Sequence, residues 1–277
     1  MTSGELAWQG FASHLAVEPA GRESEGWCVP AIGTRPYGGH LVAQSLMLAL
    51  RRASPGLVPL TVHTYFLAVG DTRRPVRYRT ERLRSGRSFE HWCVDAVQGD
   101  LRLSRVTVVL HRLEEGPRYA VRPRRASSPD ASPVVTFEPP SGSRAAVREG
   151  LEIRRAAQWQ VGDSELPYQD AWIRCVEQLP AGMAEVVLAW CSDLELAPTV
   201  DLPYRDGIVG RTGASLEHSI RFHAPFDATQ WMLLEQTGEA LAYSRGLATG
   251  RVFSTQGELL ATIVQHTLLR LTLGGTS

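Results

Sequence analysis

The sequence predicts an α+β fold made of two tandem units, in each of which antiparallel strands surround one long central helix. Two apolar helical segments indicate the centres of the units, because a helix that is apolar on most sides has to be covered nearly all round. Strand-like segments accompany each helix and are separated by glycine-containing turns. Short matches between the two halves indicate that one plan is repeated along the chain.

The first unit starts with weakly patterned sequence, in which Trp27, Val29 and Ala31 fit a first strand. Residues 40–52 have helical periodicity with apolar residues on most sides. Four strand-like segments follow, at residues 60–67, 75–83, 89–97 and 101–111. We therefore place an N-terminal domain at residues 1–113.

The second unit follows a segment of different composition. Residues 114–150 are rich in Pro, Ser and Arg without a sustained period, so we interpret them as an interdomain linker. The C-terminal domain, residues 151–277, contains a predicted helix at 184–197. Its strand-like segments lie at residues 151–158, 171–178, 214–223, 231–237, 245–254 and 259–271. Because a curved antiparallel sheet wrapped around a helix is the hotdog architecture, the repeated plan predicts a double hotdog.

The composition excludes several kinds of protein. The 277 residues, 43% hydrophobic and 21% charged, suffice for one large core or two modest ones. All 29 basic residues are Arg, since the sequence has no Lys and no Asn; this excludes a Schiff-base lysine, a P-loop lysine and a triad asparagine. The formal net charge of +0 gives no field that would attract nucleic acid or an anionic membrane.

Location and cofactors are also addressed by the sequence. No apolar run is long enough to span a bilayer, and the first ten residues lack the features of a signal peptide, so a cytoplasmic location is expected. The cysteines are scattered, without a CxxC pair or a histidine cluster at ligand spacing, at positions Cys28, Cys93, Cys175 and Cys191. We expect free thiols, no metal and no cofactor.

Asp193 is the first candidate for chemistry. In the predicted helix 184–197 it shares the apolar stripe of Val186 and Trp190, whereas Ser192 falls on the other side. Burial against apolar neighbours raises the pKa of a carboxyl group, which makes Asp193 a candidate general base. The alternative is an aspartate near a helix end with access to water.

Two strands supply further candidates. Alternation along 214–223 places Ser215 and Glu217 on one face and His218 on the other, where a histidine is more often a core residue with satisfied hydrogen bonds than a catalyst. Gln265 lies in an apolar row and, if buried, needs partners for its amide. Asp193, Ser215 and Gln265 together could hold and activate one water. Covalent and metal routes lack support, since GxSxG and HExxH are absent.

Several motifs occur in an order that resembles the type II acyl-CoA thioesterase (TesB-like) family. They are PYGGHLVAQSL at 36–46, YFLAVGD at 65–71, RSGRSF at 84–89, AWIR at 171–174, CSDL at 191–194, ASLEHSIRFHAP at 214–225 and VQ at 264–265. The resemblance implies a double-hotdog hydrolase of acyl-CoA thioesters, in which Asp193, Ser215 and Gln265 bind the attacking water. At His40, Glu217, Arg221 and His266 the sequence departs from the residues that this family usually has. The resemblance therefore does not indicate which acyl group the substrate carries.

The remaining site residues are assigned to substrate binding. We assign this role to Gly38, Gly39, His40, Glu217, His218 and Gly246. For Gly246, close packing of a helix on the sheet is an equal or better explanation than space for a substrate. The first helix offers Gln44 but no carboxylate, so we interpret the first unit as a structural and substrate-shaping half. Arginines between 73 and 87 either grip the phosphates of coenzyme A or form a solvated sheet face.

Three functions remain open at this point. The favoured one is hydrolysis of an acyl-CoA or a related thioester, without nucleic-acid or membrane partners. The second keeps the fold but uses it for cyclisation or dehydration of a carrier-bound or free intermediate, and the third is non-catalytic acyl-CoA binding. The sequence leaves assembly into homo-oligomers open.

Overall fold

The computed structural model describes residues 11–20, 23–125, 128–134, 147–158, 166–180 and 182–274. The first half comprises α1 (Phe11–His14), β1 (Val17–Ala20), β2 (Glu23–Gly26), β3 (Pro30–Ile32), β4 (Arg35–Pro36), α2 (Gly38–Arg52), β5 (Val58–Phe66), β6 (Val76–Ser85), β7 (Phe89–Gln98) and β8 (Leu101–His111). The second half comprises β9 (Leu151–Gln158), β10 (Tyr168–Cys175), α3 (Ala184–Cys191), a 3-10 helix (Ala197–Gly207), β11 (Ile208–Phe222), β12 (Met232–Ala242), β13 (Arg245–Ser254) and β14 (Leu259–Leu273).

Twelve of the strands form one antiparallel sheet. Its order is β1-β2-β6-β7-β8-β5-β11-β14-β13-β12-β10-β9, so the strands of the two halves occupy opposite ends. The halves join where β5 pairs with β11, for example Val62 with Ile220. The predicted α+β architecture, with antiparallel strands around a helix in each half, is confirmed.

The two central helices lie against each other and against the sheet. Residues Gly39 to Ala49 of α2 are buried, as expected for a helix with apolar residues on most sides. In α3 the buried residues run from Val186 to Cys191. The contact between the helices is close, because a Cβ on Gly39 would lie 2.5 Å from the carbonyl oxygen of Trp190. The beginning of α2 therefore adjoins the end of α3.

The second helix is shorter than predicted, which is a correction to the range 184–197. α3 ends at Cys191, and the Ser192 hydroxyl lies within hydrogen-bonding distance of the carbonyl of Ala189, at 2.8 Å. Such a bond competes with helix continuation. Glu195 has a φ of 59°, in the left-handed region, and Pro198 disfavours helical backbone at the residue before it. Asp193 accordingly lies in the turn after α3 and not within the helix.

The first thirty-six residues also differ from expectation. The single strand proposed around Trp27, Val29 and Ala31 is replaced by β1 to β4, which are two to four residues long and flank the beginning of α2. Segments this short carry too few residues for alternation to be recognised.

Part of the predicted linker lies against the second half of the sheet. Arg124 contacts Asp170 on β10 and Glu235 on β12, which are cross-strand partners. Val134 forms an isolated β-bridge with Arg154 of β9. The predicted linker is thus attached to the sheet at Arg124 and at Val134.

In the described residues, no helix combines the length and the apolar character that crossing a bilayer requires. The four cysteines are free and buried. The same residues contain no group of three or more His, Cys, Asp or Glu side chains that could hold a metal ion.

Candidate active site

Asp193 lies at the junction of the two halves. Its Oδ1 accepts a hydrogen bond from Nε2 of Gln265 on β14, at 2.9 Å. Its Oδ2 accepts one from the backbone N–H of Gly39, in the first turn of α2, at 3.0 Å. The carboxylate is therefore held from both sides, once by each half of the chain.

The surroundings of Asp193 raise its pKa to about 6. Burial is the largest cause, because it penalises the charged form, and the hydrogen bonds from Gln265 and Gly39 oppose it. The N-terminus of α2 also favours a negative charge. The result is a carboxylate that is ionised at neutral pH yet basic enough to accept a proton.

A β-bulge brings Ser215 to the same side as Gln265. Ser215 pairs with Thr267 and Glu217 pairs with His266, so Leu216 is an extra residue without a partner. The prediction that Ser215 and His218 lie on opposite faces is therefore wrong, because strict alternation does not allow for the extra residue. Gln265 donates its second amide hydrogen to Oγ of Ser215 at 2.7 Å.

A cavity of about 470 Å³ opens beside Asp193 and Ser215. Its deeper walls include the buried side chains of Tyr37, Leu41 and Leu194, and exposed apolar side chains, Ile32 and Val69 among them, stand at its mouth. Space of this size can hold part of a substrate next to the carboxylate.

Gln265 and His218 are fully buried behind this cavity. Nδ1 of His218 is 3.3 Å from Oε1 of Gln265, and Nε2 is 2.7 Å from Oγ of Ser192. Burial lowers the pKa of His218 to about 4, so the ring is neutral at physiological pH. Ser192 was not selected from the sequence, because a helix continuing to residue 197 would turn it away from His218.

Of the other residues assigned to substrate binding, some lie at Asp193 and others do not. Gly38 and Gly39 lie at Asp193, and a Cβ on Gly38 would be 2.8 Å from its Oδ2. His40 does not contact Asp193. Its Nδ1 accepts a hydrogen bond from the N–H of Val29, and its ring packs on Trp190.

Glu217 and Gly246 also lie outside the residues that line the cavity. Glu217 pairs with His266, at 2.7 Å. Gly246 provides room for Val200 of the 3-10 helix, since its Cβ would lie 2.7 Å from Cγ2 of that valine. The 3-10 helix thus packs closely on β13 at Gly246, as in the alternative explanation of this glycine.

Most of the arginines proposed to bind phosphate have carboxylate partners. These ion pairs are Arg73 with Asp71, Arg77 with Glu25, Arg79 with Glu23 and Arg82 with Glu90. Two other arginines, Arg35 and Arg211, line the cavity at Asp193.

Two helix-and-sheet units with one carboxylate site at their junction define the class of double-hotdog thioesterases. Residues 24–111 match the family model of the acyl-CoA thioesterase N-terminal domain, and residues 121–269 match that of the C-terminal domain. The chain belongs to the acyl-CoA thioesterase family. The resemblance noted from the motifs is confirmed.

Individual relatives agree with this assignment. The chain is 30% identical to acyl-CoA thioesterase 2 of Haemophilus influenzae, over 84% of this chain and 87% of that protein. It is 28% identical to acyl-coenzyme A thioesterase 8 of Mus musculus, over 97% and 91% of the two chains.

Solved structures support the fold. The acyl-CoA thioesterase II TesB2 from Mycobacterium marinum superposes with a TM-score of 0.81 and 25% identity, covering 95% of this chain and 98% of that one. A protein with hot dog fold from Alicyclobacillus acidocaldarius, 19% identical, has a TM-score of 0.78 over 95% and 98% of the chains. The double-hotdog prediction is confirmed.

Proposed function

We propose that this chain hydrolyses acyl-CoA thioesters and that Asp193 is the general base that activates the attacking water. The observation that carries the proposal is the carboxylate of Asp193, which is held by one N–H from each half and opens on the cavity together with Ser215. Membership of the acyl-CoA thioesterase family supports the reaction class.

The geometry defines what each group does. Each oxygen of Asp193 accepts one hydrogen bond and keeps a lone pair for water. Because Oγ of Ser215 accepts from Gln265, its own hydrogen is free to donate to that water or to the thioester carbonyl. Asp193 and Ser215 can thus fix a water with one of its hydrogens toward the carboxylate.

The reaction then proceeds in two proton-balanced steps. The water oxygen forms a bond to the thioester carbon while Asp193 takes the water proton, which gives a tetrahedral intermediate. Collapse of the intermediate breaks the carbon–sulfur bond, and the proton on Asp193 passes to the departing thiolate. The products are a carboxylic acid and the thiol of coenzyme A, and Asp193 is again a carboxylate.

A covalent route through Ser215 has less support. The neighbour that contacts its oxygen is the amide of Gln265, which cannot accept a proton at neutral pH. No Cys or His occurs among the described residues that line the cavity. Direct attack by water uses the base that is present.

The cavity mouth fits a substrate that is apolar at one end and anionic at the other. Ile32, Leu67 and Val69 are more than half exposed there and can contact an acyl chain. Arg35 donates to the carbonyl of Gly213, and Arg211 pairs with Asp201, so both guanidinium groups are held at the rim. We propose that these two arginines face the phosphates of coenzyme A.

Asp193→Asn tests the function. The amide keeps the size of the side chain but cannot take the water proton, so we expect kcat to fall on the order of a hundredfold or more, with a smaller change in KM. Thiol release from a panel of acyl-CoAs measures both constants.

Asp170→Asn is the matched control. Asp170 is another buried carboxyl group with a pKa raised to about 6, but it lies under Arg124 and outside the cavity lining. Its replacement should leave kcat within about twofold. Equal losses in both variants, or full activity of Asp193→Asn, would contradict the role of Asp193.

A further inference from the structure

We propose that His218 and Ser192 are positioning residues that set the orientation of the Gln265 amide and thereby of the Asp193 carboxylate. This inference rests on the proposed function, since it concerns the same water-binding group. His218, Ser192 and Gln265 form an unbroken hydrogen-bonded series that leads from the end of α3 through β11 to β14.

Gln265 could occupy its place in two ways. In the observed orientation its NH₂ group faces Asp193 and Ser215, and its Oε1 faces Nδ1 of His218. A turn of the amide by 180° would direct Oε1 at the Asp193 carboxylate, where two acceptors would repel each other. The shape of the side chain does not distinguish the two orientations, so its partners have to do so. Asp193 disfavours the turned orientation, and a donor at Oε1 stabilises the observed one.

His218 makes that distinction through its tautomer. The ring is buried and neutral, so one nitrogen donates and the other accepts. When Nδ1 carries the hydrogen, it donates to Oε1 of Gln265 and keeps the NH₂ group on Asp193. When Nε2 carries the hydrogen, Nδ1 needs a donor, and the amide is drawn into the unproductive orientation.

Ser192 selects between the tautomers. Its hydroxyl has one hydrogen and two acceptors within reach, Nε2 of His218 at 2.7 Å and the carbonyl of Ala189 at 2.8 Å. Because the NH₂ group of Gln265 is held by Asp193, its Oε1 requires the ring hydrogen on Nδ1, which leaves Nε2 as an acceptor. In this state the Ser192 hydroxyl donates to Nε2 and not to Ala189, and the opposite choice would favour the other tautomer. The turn after α3 that moves Ser192 inward is therefore part of the site.

Charged and titratable groups lie on both sides of the series, and Arg35 and Arg211 are among those that line the cavity. On the cavity side, Tyr37, Arg148 and Glu195 line the same cavity as Asp193, and Arg148 is paired with Glu195. On the sheet side, His63 of β5 is the titratable neighbour that disfavours protonation of His218.

Four variants test the role of His218 and Ser192 in the whole chain. His218→Leu removes the donor to Gln265, and Ser192→Ala removes one oxygen. His218→Asn restores an N–H donor near the place of Nδ1. Thr64→Val is the matched control, because Thr64 is the buried cross-strand partner of His218 and its hydroxyl has no partner among the described residues.

Hydrolysis of one acyl-CoA between about pH 5 and pH 8 distinguishes the outcomes. We expect His218→Leu to lower kcat roughly a hundredfold with little change in KM, and Ser192→Ala to lower it about tenfold. The acid limb of the kcat profile should move to higher pH in both variants, because Asp193 loses an oriented donor that lowers its pKa. His218→Asn should recover most of the rate, and Thr64→Val should behave as the wild type.

The proposal fails if folded Ser192→Ala keeps the wild-type kcat and acid limb, or if folded His218→Asn is as slow as His218→Leu. Circular dichroism and thermal unfolding identify variants that have lost the fold, and Ser192→Ala and His218→Asn remain decisive if His218→Leu is one of them. Failure of the proposed function is a separate result, in which the wild type itself releases no thiol from any acyl-CoA.

Discussion

At the scale of single residues, Asp193, the proposed general base, has to meet two opposing requirements. A base must be ionised at the working pH, and it must bind a proton strongly enough to remove one from water. Burial raises the pKa of Asp193, while the N–H of Gly39 and the amide of Gln265 limit the rise. The pKa of about 6 is the balance of these effects.

We expect kcat/KM to fall as the pH decreases through about 6, because only the ionised form of Asp193 can act as the base.

The effect of Asp193 on stability has the opposite pH dependence. The pKa of Asp193 in the folded protein lies above the ordinary value of 3.8, so protonation of Asp193 favours the folded state, and this stabilising effect is lost as the pH rises through 6. The acid loss of activity therefore does not come from unfolding driven by this group.

His40 and His218 change the pH dependence of folding stability in the opposite direction to Asp193. Burial lowers their pKa values to about 3 and about 4, so their contribution to stability is lost as the pH falls from about 6.5 toward those values. Circular dichroism at each pH separates the two effects. A pH profile of kcat/KM without a limb near 6 in folded protein would contradict the role of Asp193.

The sequence was sufficient to select the three side chains that the structure brings together at Asp193, but not their supports. Asp193 and Gln265 were recognisable as polar residues in apolar rows. Ser192 and the N–H of Gly39 were not, because their roles depend on where α3 ends and on how closely α2 approaches it. Such contacts between distant segments leave no periodic pattern in the sequence.

At the scale of elements, the 3-10 helix decides the shape of the second unit. It occupies the face of the sheet above β12 and β13, where glycines make room for it. A Cβ on Gly238 would lie 2.9 Å from the Cα of Val200, and one on Gly246 2.7 Å from its Cγ2. These two glycines are explained by the packing of a helix on the sheet, not by space for a substrate.

Gly246→Ala should lower the free energy of unfolding by about 1 to 3 kcal/mol, because the added methyl group overpacks the contact with Val200 and Thr267. Gly250→Ala, two residues further along the strand, is the control. Its Cβ would meet Ile263 at an ordinary 3.4 Å, and alanine should raise stability by a few tenths of a kcal/mol or leave it unchanged. Urea titration of both variants measures the difference, and equal stabilities would refute the explanation.

Regular elements were easier to predict than irregular ones. Strands β8, β9 and β13 have the bounds that alternation predicted, and the first helix begins only two residues earlier. The bulge at Leu216 and the 3-10 helix were missed, since one unpaired residue and a helix containing Pro198 and Pro203 produce no sustained period.

At the scale of the whole molecule, one linker residue neutralises a pair of buried carboxylates. Arg124 contacts Asp170 at 2.7 Å and Glu235 at 3.5 Å, and its backbone N–H also donates to Glu235. Both carboxylates are almost completely buried, and they face each other across β10 and β12. The predicted linker therefore supplies the cation that contacts both carboxylates.

Arg124→Ala should lower the free energy of unfolding by about 3 kcal/mol at pH 8, because two buried negative charges lose their partner. The loss should be smaller at pH 5, where Asp170, whose pKa is about 6, is protonated. Arg122→Ala, at an exposed arginine that donates to the carbonyl of Gly257, is the control. The same loss at both pH values would argue against this explanation.

The bridge between Val134 and Arg154 has a consequence for solubility. A sheet of twelve strands that does not close has two edges, β1 and β9 here, and an open edge is a template on which another chain can add a strand. Beside β9, Val134 pairs with Arg154 and the N–H of Arg155 donates to the carbonyl of Pro133, so the linker already occupies part of that edge. The other edge strand, β1, is four residues long and contains Pro19, which has no N–H to offer. Both ends of the sheet are protected against edge-to-edge aggregation.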